Sequence, residues 1–314
     1  ALLIGLLAVN LTQPGVGVNL QADSHVADFV SKKQTITEII SHIVPQSIFE
    51  AMAQGEVLQI VLFSVLFSIA LAMIADEKRK IILGFFDSLA ETMFKFTGLV
   101  MKFAPIGVGA AIAVTVGSKG LGVLINLGLL ILTLYAALIV FVVFVLGAVM
   151  LIFRIPIKKF IEAVKEPAII AFSTTSSEAA LPKAMEAMEK FGVPRRIVSF
   201  VIPTGYGFNL DGSTLYLALA SVFVAQAANI HLSIETQVLM MLSLMLTSKG
   251  VAGVPRASLV ILAGTLASFG LPLEGVALIL GVDEILDMGR TAVNVIGNCL
   301  ASAVIARWEG ELTV

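Results

Sequence analysis

The sequence predicts an all-α polytopic membrane protein, and three observations carry that prediction. Of its 314 residues, 58% are hydrophobic and only 13% are charged, about half the charged share of a soluble domain. Mean hydropathy is +1.00. Long apolar runs recur, and the run from Leu121 to Phe153 contains no charge, where a spanning helix needs roughly 20 such residues. The alternation of about ten residues that marks a membrane barrel strand is absent. A net charge of −2 names no partner. The expected partners are a lipid bilayer and a small molecule, with no nucleic acid. The single cysteine, Cys299, excludes an intrachain disulfide and a cysteine-rich metal site and reads as a packing residue.

The elements follow in order. Ala1 to Leu11 is apolar but too short to span, and is expected to be the end of a helix that begins upstream. Thr12 to Thr35 reads as a polar loop. A first complete helix is predicted near Val57 to Ile74, closed by "ADEKRK". A second is predicted near Lys95 to Val116, amphipathic at Lys95 and Lys102, and a third near Ile125 to Phe153. After "RIPIKKF" the apolar segments become interrupted: 166–190 around "STTSSE", 196–228 around "NLDG", 236–270 around "TSKGVAGVP", and 274–306 around "DEILDMGRTAVNVIGN".

Charge gives the topology. Lys78, Arg79, Lys80, Arg154, Lys158, Lys159, Arg195, Arg196 and Arg307 fall at one set of helix ends, and Lys32, Lys33 and Lys119 at the other. The positive-inside rule places the first set, and with it the C-terminal end, in the cytoplasm. Segment 166–190 has basic residues on both flanks, so it must enter and return on that side. Segment 236–270 has none in "ANIHLSIETQ" or "SFGLPLEGV" and should enter and return from outside. Two oppositely oriented re-entrant hairpins, each followed by a polar or broken helix, form an inverted repeat that meets near the midplane. Non-helical backbone is tolerated there only around a cavity or inside protein. His25, His42 and His231 are scattered and form no metal-ligand pair; Trp308 reads as an interfacial anchor.

Asp283, Asp287, Arg290, Asn294 and Asn298 are spaced 4, 3, 4 and 4 apart. At about 100° per residue they share a stripe roughly 80° wide, with Thr291 at its edge. Ionisable groups in a membrane are costly and usually face a functional cavity, although a structural Asp–Arg pair is the plainer alternative. The stripe suits a zwitterion: Arg290 for a carboxylate, Asp287 for an ammonium, Asn294 for a second carboxylate. In "NLDG", Asn209, Leu210, Asp211 and Gly212 favour an unwound backbone whose carbonyls and carboxylate suit a hard cation; a simple glycine kink is the alternative. The tips "STTSSE" and "TSKGVAGVP" offer small residues whose backbone can face a ligand, or else hydroxyls that only join packed helices.

These four motifs together resemble the dicarboxylate/amino acid:cation symporters, the glutamate transporter family, and most nearly its bacterial proton/glutamate members. The likeness runs from Ala1 to the C-terminal end. It implies the glutamate-transporter fold, entered here within its third helix, with no enzymatic activity and no cofactor. It implies a homotrimer in the cell (inner) membrane whose transport domain moves like an elevator. Residues 1–94 are then expected to be partial scaffold, 95–124 the fifth helix, also scaffold, and 125–314 mainly transport domain. Carried over, Arg290 would bind the substrate side-chain carboxylate, Asp287 the amino group and Asn294 the α-carboxylate. Ser213, Ser176, Ser177, Gly253, Val254 and Thr291 would complete the substrate site. Gly205, Asn209, Leu210, Asp211, Ser248, Lys249, Asp283 and Asn298 would serve the coupling ion, with any sodium at Asn209, Asp211, Asn294 and Asn298. The second hairpin would be the gate.

Three departures from the family pattern bear on coupling. Asn298 stands where sodium-coupled members have an Asp, Lys249 where they have an apolar residue, and Leu217 where animal members have a Glu. The expectation is coupling mainly to protons, with Asp211, Asp283 or Glu178 as carriers and sodium as the second candidate ion. Asp287 favours glutamate or aspartate; a C4-dicarboxylate symporter of the same fold is the alternative. An intramembrane hydrolase using Ser176 or Ser177 with Lys249, and a passive channel, are the remote ones.

Overall fold

The computed structural model describes residues 1–18, 20, 47–54, 57–248 and 257–313, and among these every regular element is helical. The helices are α1 (Leu2–Thr12), α2 (Ile48–Gln54), α3 (Val57–Met73), α4 (Asp76–Met101) and α5 (Ala104–Lys119). Then come α6 (Val123–Ile152), α7 (Ile157–Thr174), α8 (Ser177–Phe191), α9 (Arg195–Phe208) and α10 (Asp211–Ala227). The chain ends with α11 (Ile234–Thr247), α12 (Ala257–Ser268), α13 (Glu274–Leu280) and α14 (Asp283–Trp308). Among the described residues, two runs are long and apolar enough to cross a membrane: α6, and α9 with α10 taken together. The 30 residues of α6 reach about 45 Å at 1.5 Å per residue. A π-helical turn, Phe141–Leu146, lies within it.

The core forms around α14, which packs against α6, α7, α8, α9, α10 and α13. A helix that is apolar all round belongs in an interior. In keeping with this, α10 is buried continuously from Gly212 to Ala225. Helices α7 and α8 pack along each other and join through Thr175 and Ser176 alone. Helices α11 and α12 are also neighbours.

Three boundaries differ from the sequence expectations. The helix expected near Val57 to Ile74 does end at Met73, just before "ADEKRK", but that stretch also opens a further helix, α4. Asp76 and Glu77 sit in the first turn, where the helix dipole favours acids, and Arg79 pairs with Asp76 at 2.6 Å. The predicted helix at 95–116 is two helices, divided at Lys102 and Phe103. Pro105 stands in the first turn of α5, a position that starts a helix and cannot continue one. The first hairpin begins at Ile157 rather than 166. Its early charges, Lys158, Lys159, Glu162, Lys165 and Glu166, lie on the exposed face of α7, while Phe160, Val164 and Ala171 are buried.

Helix α1, grouped with the scaffold in the sequence reading, packs on α10, α6 and α11. Side-chain amides fasten it there. Gln226 Nε2 donates to the Val9 carbonyl at 3.0 Å, Asn10 Nδ2 to Gln237 Oε1 at 2.8 Å, and Asn126 Nδ2 to the Pro14 carbonyl at 2.7 Å. By contrast, α3, α4 and α5 turn large apolar residues such as Leu66, Ile69, Phe85, Phe96 and Ile106 outward.

Candidate functional site

The site begins with the break between α9 and α10. Asn209 (φ −116°, ψ 72°) and Leu210 (φ −107°, ψ 63°) both leave the helical region. The helix therefore restarts at Asp211 with its first amides unmatched. A residue 82 positions later supplies the missing partner. Asn294 Oδ1 accepts from the Gly212 amide at 2.8 Å and the Ser213 amide at 3.2 Å, and Asn294 Nδ2 donates to Ser213 Oγ at 2.9 Å. Asn294 thus caps α10 from another helix. Gly212 permits the approach, because a Cβ there would collide with the Arg290 backbone.

One turn earlier on α14 lies a buried charge cluster. Arg290 Nε donates to Asp287 Oδ1 at 2.7 Å and Nη1 to Asp283 Oδ1 at 3.1 Å. Thr291 Oγ1 also donates to Asp287 Oδ1, at 3.0 Å. The guanidinium carbon sits 4.1 Å above the centre of the Tyr216 ring, and the Tyr216 hydroxyl donates to Asp283 at 3.2 Å. Arg290 and Asp283 are 0% exposed. Such a cation is held by ion pairing, hydrogen bonds and a π face together. Arg290 Nη2 has no hydrogen-bond partner among the described residues, so one donor nitrogen of the fork remains available.

Asn209 and Asp211 adjoin α14 at Gly297, and the next residue of α14, Asn298, adjoins α9 at Gly205. The Asp211 carboxylate and the Asn209 amide both lie against Gly297, and the Asn298 amide abuts Gly205, where a side chain would collide with it. Asn298 is fully buried, and neither of its amide atoms has a hydrogen-bond partner among the described residues.

The structure thus brings Ser213, Asp283, Asp287, Arg290, Thr291 and Asn294 into one cluster. Gly205, Asn209, Leu210, Asp211 and Asn298 adjoin it. At the turn between α7 and α8, Thr175 is left-handed at φ 52° and the Ser176 hydroxyl accepts from the Ala179 amide. Ser177 is buried and Ser176 half-buried, where α8 meets α14, but among the described residues no hydrogen bond joins either to the cluster. Glu178 is exposed. Ser248 closes α11, buried. Lys249, Gly253, Val254, His25 and His42 lie outside the described residues.

Sequence reasoning missed Tyr216 and the capping role of Asn294. Tyr216 had a signal: it stands three residues past Ser213, on the same face of α10, and an intramembrane arginine favours an aromatic face. The cap had none, because it depends on which helices meet.

Residues 1–308 match the model of the sodium:dicarboxylate symporter family. The chain is 50% identical to a proton/sodium-glutamate symport protein of Geobacillus stearothermophilus, across 99% of this chain and 75% of that relative. It is 47% identical to the proton/glutamate-aspartate symporter of Escherichia coli strain K12, across 98% and 73%. It is 46% identical to C4-dicarboxylate transport protein 2 of Mesorhizobium japonicum, across 99% and 72%.

Proposed function

We propose, on the premise that this chain belongs to the sodium:dicarboxylate symporter family, that it imports an acidic amino acid, glutamate or aspartate, in symport with protons. The observation that carries the reading is an acid and a guanidinium on one buried face, Asp287 and Arg290, 2.7 Å apart. A plain dicarboxylate would use the guanidinium and find the second charge repulsive. An amino acid uses both. The relatives named for glutamate are also slightly more similar than those named for C4-dicarboxylates.

The site residues pair with one another, and binding exchanges partners. The substrate side-chain carboxylate approaches the available Nη2 of Arg290 and draws the fork from Asp287. Asp287, released, accepts the substrate ammonium. Asn294 Nδ2 turns from Ser213 Oγ to the α-carboxylate, and the freed Ser213 hydroxyl donates to the side-chain carboxylate. The exchange gives Arg290 Nη2 an acceptor and leaves Asp287, Asn294 and Ser213 each with a partner, which avoids the cost of unmet buried groups in the bound state.

Asp283 already accepts from Arg290 and Tyr216, and Glu178 is exposed. Asp211, half-buried beside Gly297, is the carrier favoured here. Asn298 brings no negative charge to offset a sodium ion, which supports protons over sodium.

Alternating access follows from the family premise: two re-entrant hairpins, a homotrimeric assembly in the cell membrane, a cytoplasmic C-terminal end and an elevator-like core. The hydrogen bonds from α1 to α10 and α11 support placing α1 with the moving core. The outward apolar faces of α3 to α5 suit lipid and neighbouring subunits. The second reading, C4-dicarboxylate symport, is supported by the 46% identical relatives. Competition distinguishes the two. Uptake of labelled glutamate by the full-length protein in liposomes should be blocked by aspartate and not by succinate; block by succinate alone would favour the second reading.

A further inference from the structure

Among the described residues, the basic side chains at the corner where α6 and α14 both end make no ion pair with a carboxylate. On this face of the core, Lys183, Lys190, Arg195 and Arg196 each have an acidic partner. Arg154, Lys158 and Arg307 have none among the described residues. Arg307 Nη2 donates to the Arg154 carbonyl at 3.2 Å, which ties the two arginines together, and Arg307 Nε is buried with no hydrogen-bond partner among the described residues. Arg154 holds a left-handed conformation, φ 50°, where glycine is the residue at ease. Lys158, in the first turn of α7, is exposed.

An apolar rim lies directly beside these cations. Trp308, next to Arg307, is 80% exposed, and Leu151 and Ile152, at the end of α6, are also exposed. An exposed indole beside basic residues at a helix end is the arrangement of a membrane–water boundary, and basic pockets between helices at that level hold anionic headgroups.

We propose that this corner binds the phosphate of an anionic phospholipid, with Arg154, Lys158 and Arg307 around the headgroup and Trp308, Leu151 and Ile152 against the upper acyl chains. A bridging phosphate would neutralise two arginines that the Arg307–Arg154 hydrogen bond holds side by side. The proposal rests on the membrane placement above, but not on the transported substrate.

Trp308 is the only tryptophan in these 314 residues and serves as a local reporter. The full-length protein is placed in nanodiscs containing phosphatidylglycerol or phosphatidylcholine with brominated chains. Emission from a Trp308→Phe variant is subtracted. Brominated phosphatidylglycerol should quench Trp308 at a lower mole fraction than brominated phosphatidylcholine. Arg154→Gln with Lys158→Gln, which alters two exposed side chains and spares the Arg307 hydrogen bond, should reduce that preference roughly five-fold per charge. Equal quenching by the two lipids, or an unchanged preference in the double variant, would overturn the proposal. So would displacement by soluble glycerol phosphate, since a free phosphate would then suffice.

Discussion

Replacing Asp287 with Asn probes the exchange of partners at the substrate site. The substitution keeps the shape and removes one charge. Without substrate, Arg290 in the variant loses the 2.7 Å bond to a carboxylate but keeps Asp283 at 3.1 Å and the Tyr216 ring at 4.1 Å. Removing one partner of a buried ion pair costs about 3–5 kcal/mol; with the second acid still present, the lower end applies to folding. In the filled site the ammonium loses its only proposed anionic partner. A hydrogen bond between charged groups is worth about 1.5–3 kcal/mol, and at 1.4 kcal/mol per decade the upper figure is about 100-fold. Glutamate affinity should therefore fall by roughly two orders of magnitude. Succinate has no ammonium, so its affinity should hold or rise. Calorimetry on purified full-length protein measures both ligands. A glutamate affinity within about three-fold of wild type would refute the assignment, as would an equal loss for both ligands.

Other expectations follow from the same geometry. Tyr216→Phe removes the hydroxyl that donates to Asp283 at 3.2 Å but keeps the ring under Arg290; it should cost about 1 kcal/mol in thermal stability, and Tyr216→Leu about 1–2 kcal/mol more. Gly212→Ala forces a methyl into the Arg290 backbone and should cost at least about 1–3 kcal/mol with loss of glutamate binding. Gly207→Ala, where a Cβ meets nothing within 4 Å, should be near neutral, so the pair separates packing from helix propensity in one denaturation series. Asn298→Asp places a carboxylate beside Gly205 and should make uptake respond to sodium; a sodium titration of transport rate checks it.

Some of this was legible in the sequence because it is local. The stripe from Asp283 to Asn298 follows from one helical period, and the break at Asn209–Leu210 from the preferences of Asn, Asp and Gly. Helix α4 was not legible, since hydropathy reads "ADEKRK" as a loop although an acidic first turn is a good helix start. Nor was the extension of the first hairpin to Ile157, where a charged face hides a buried one. The cap by Asn294, and the clamp of Asp283, Asp287 and Tyr216 on Arg290, require knowing that α10 crosses α14 at Gly212. That contact is tertiary, and no local spacing contains it.

The most direct test of the central claim is uptake of labelled glutamate into liposomes holding the full-length protein, driven by an inward proton gradient with sodium absent. Accumulation above the external concentration, collapsing when the gradient is dissipated, is the predicted result. Uptake that only equilibrates, or that begins only when sodium is added, would contradict it.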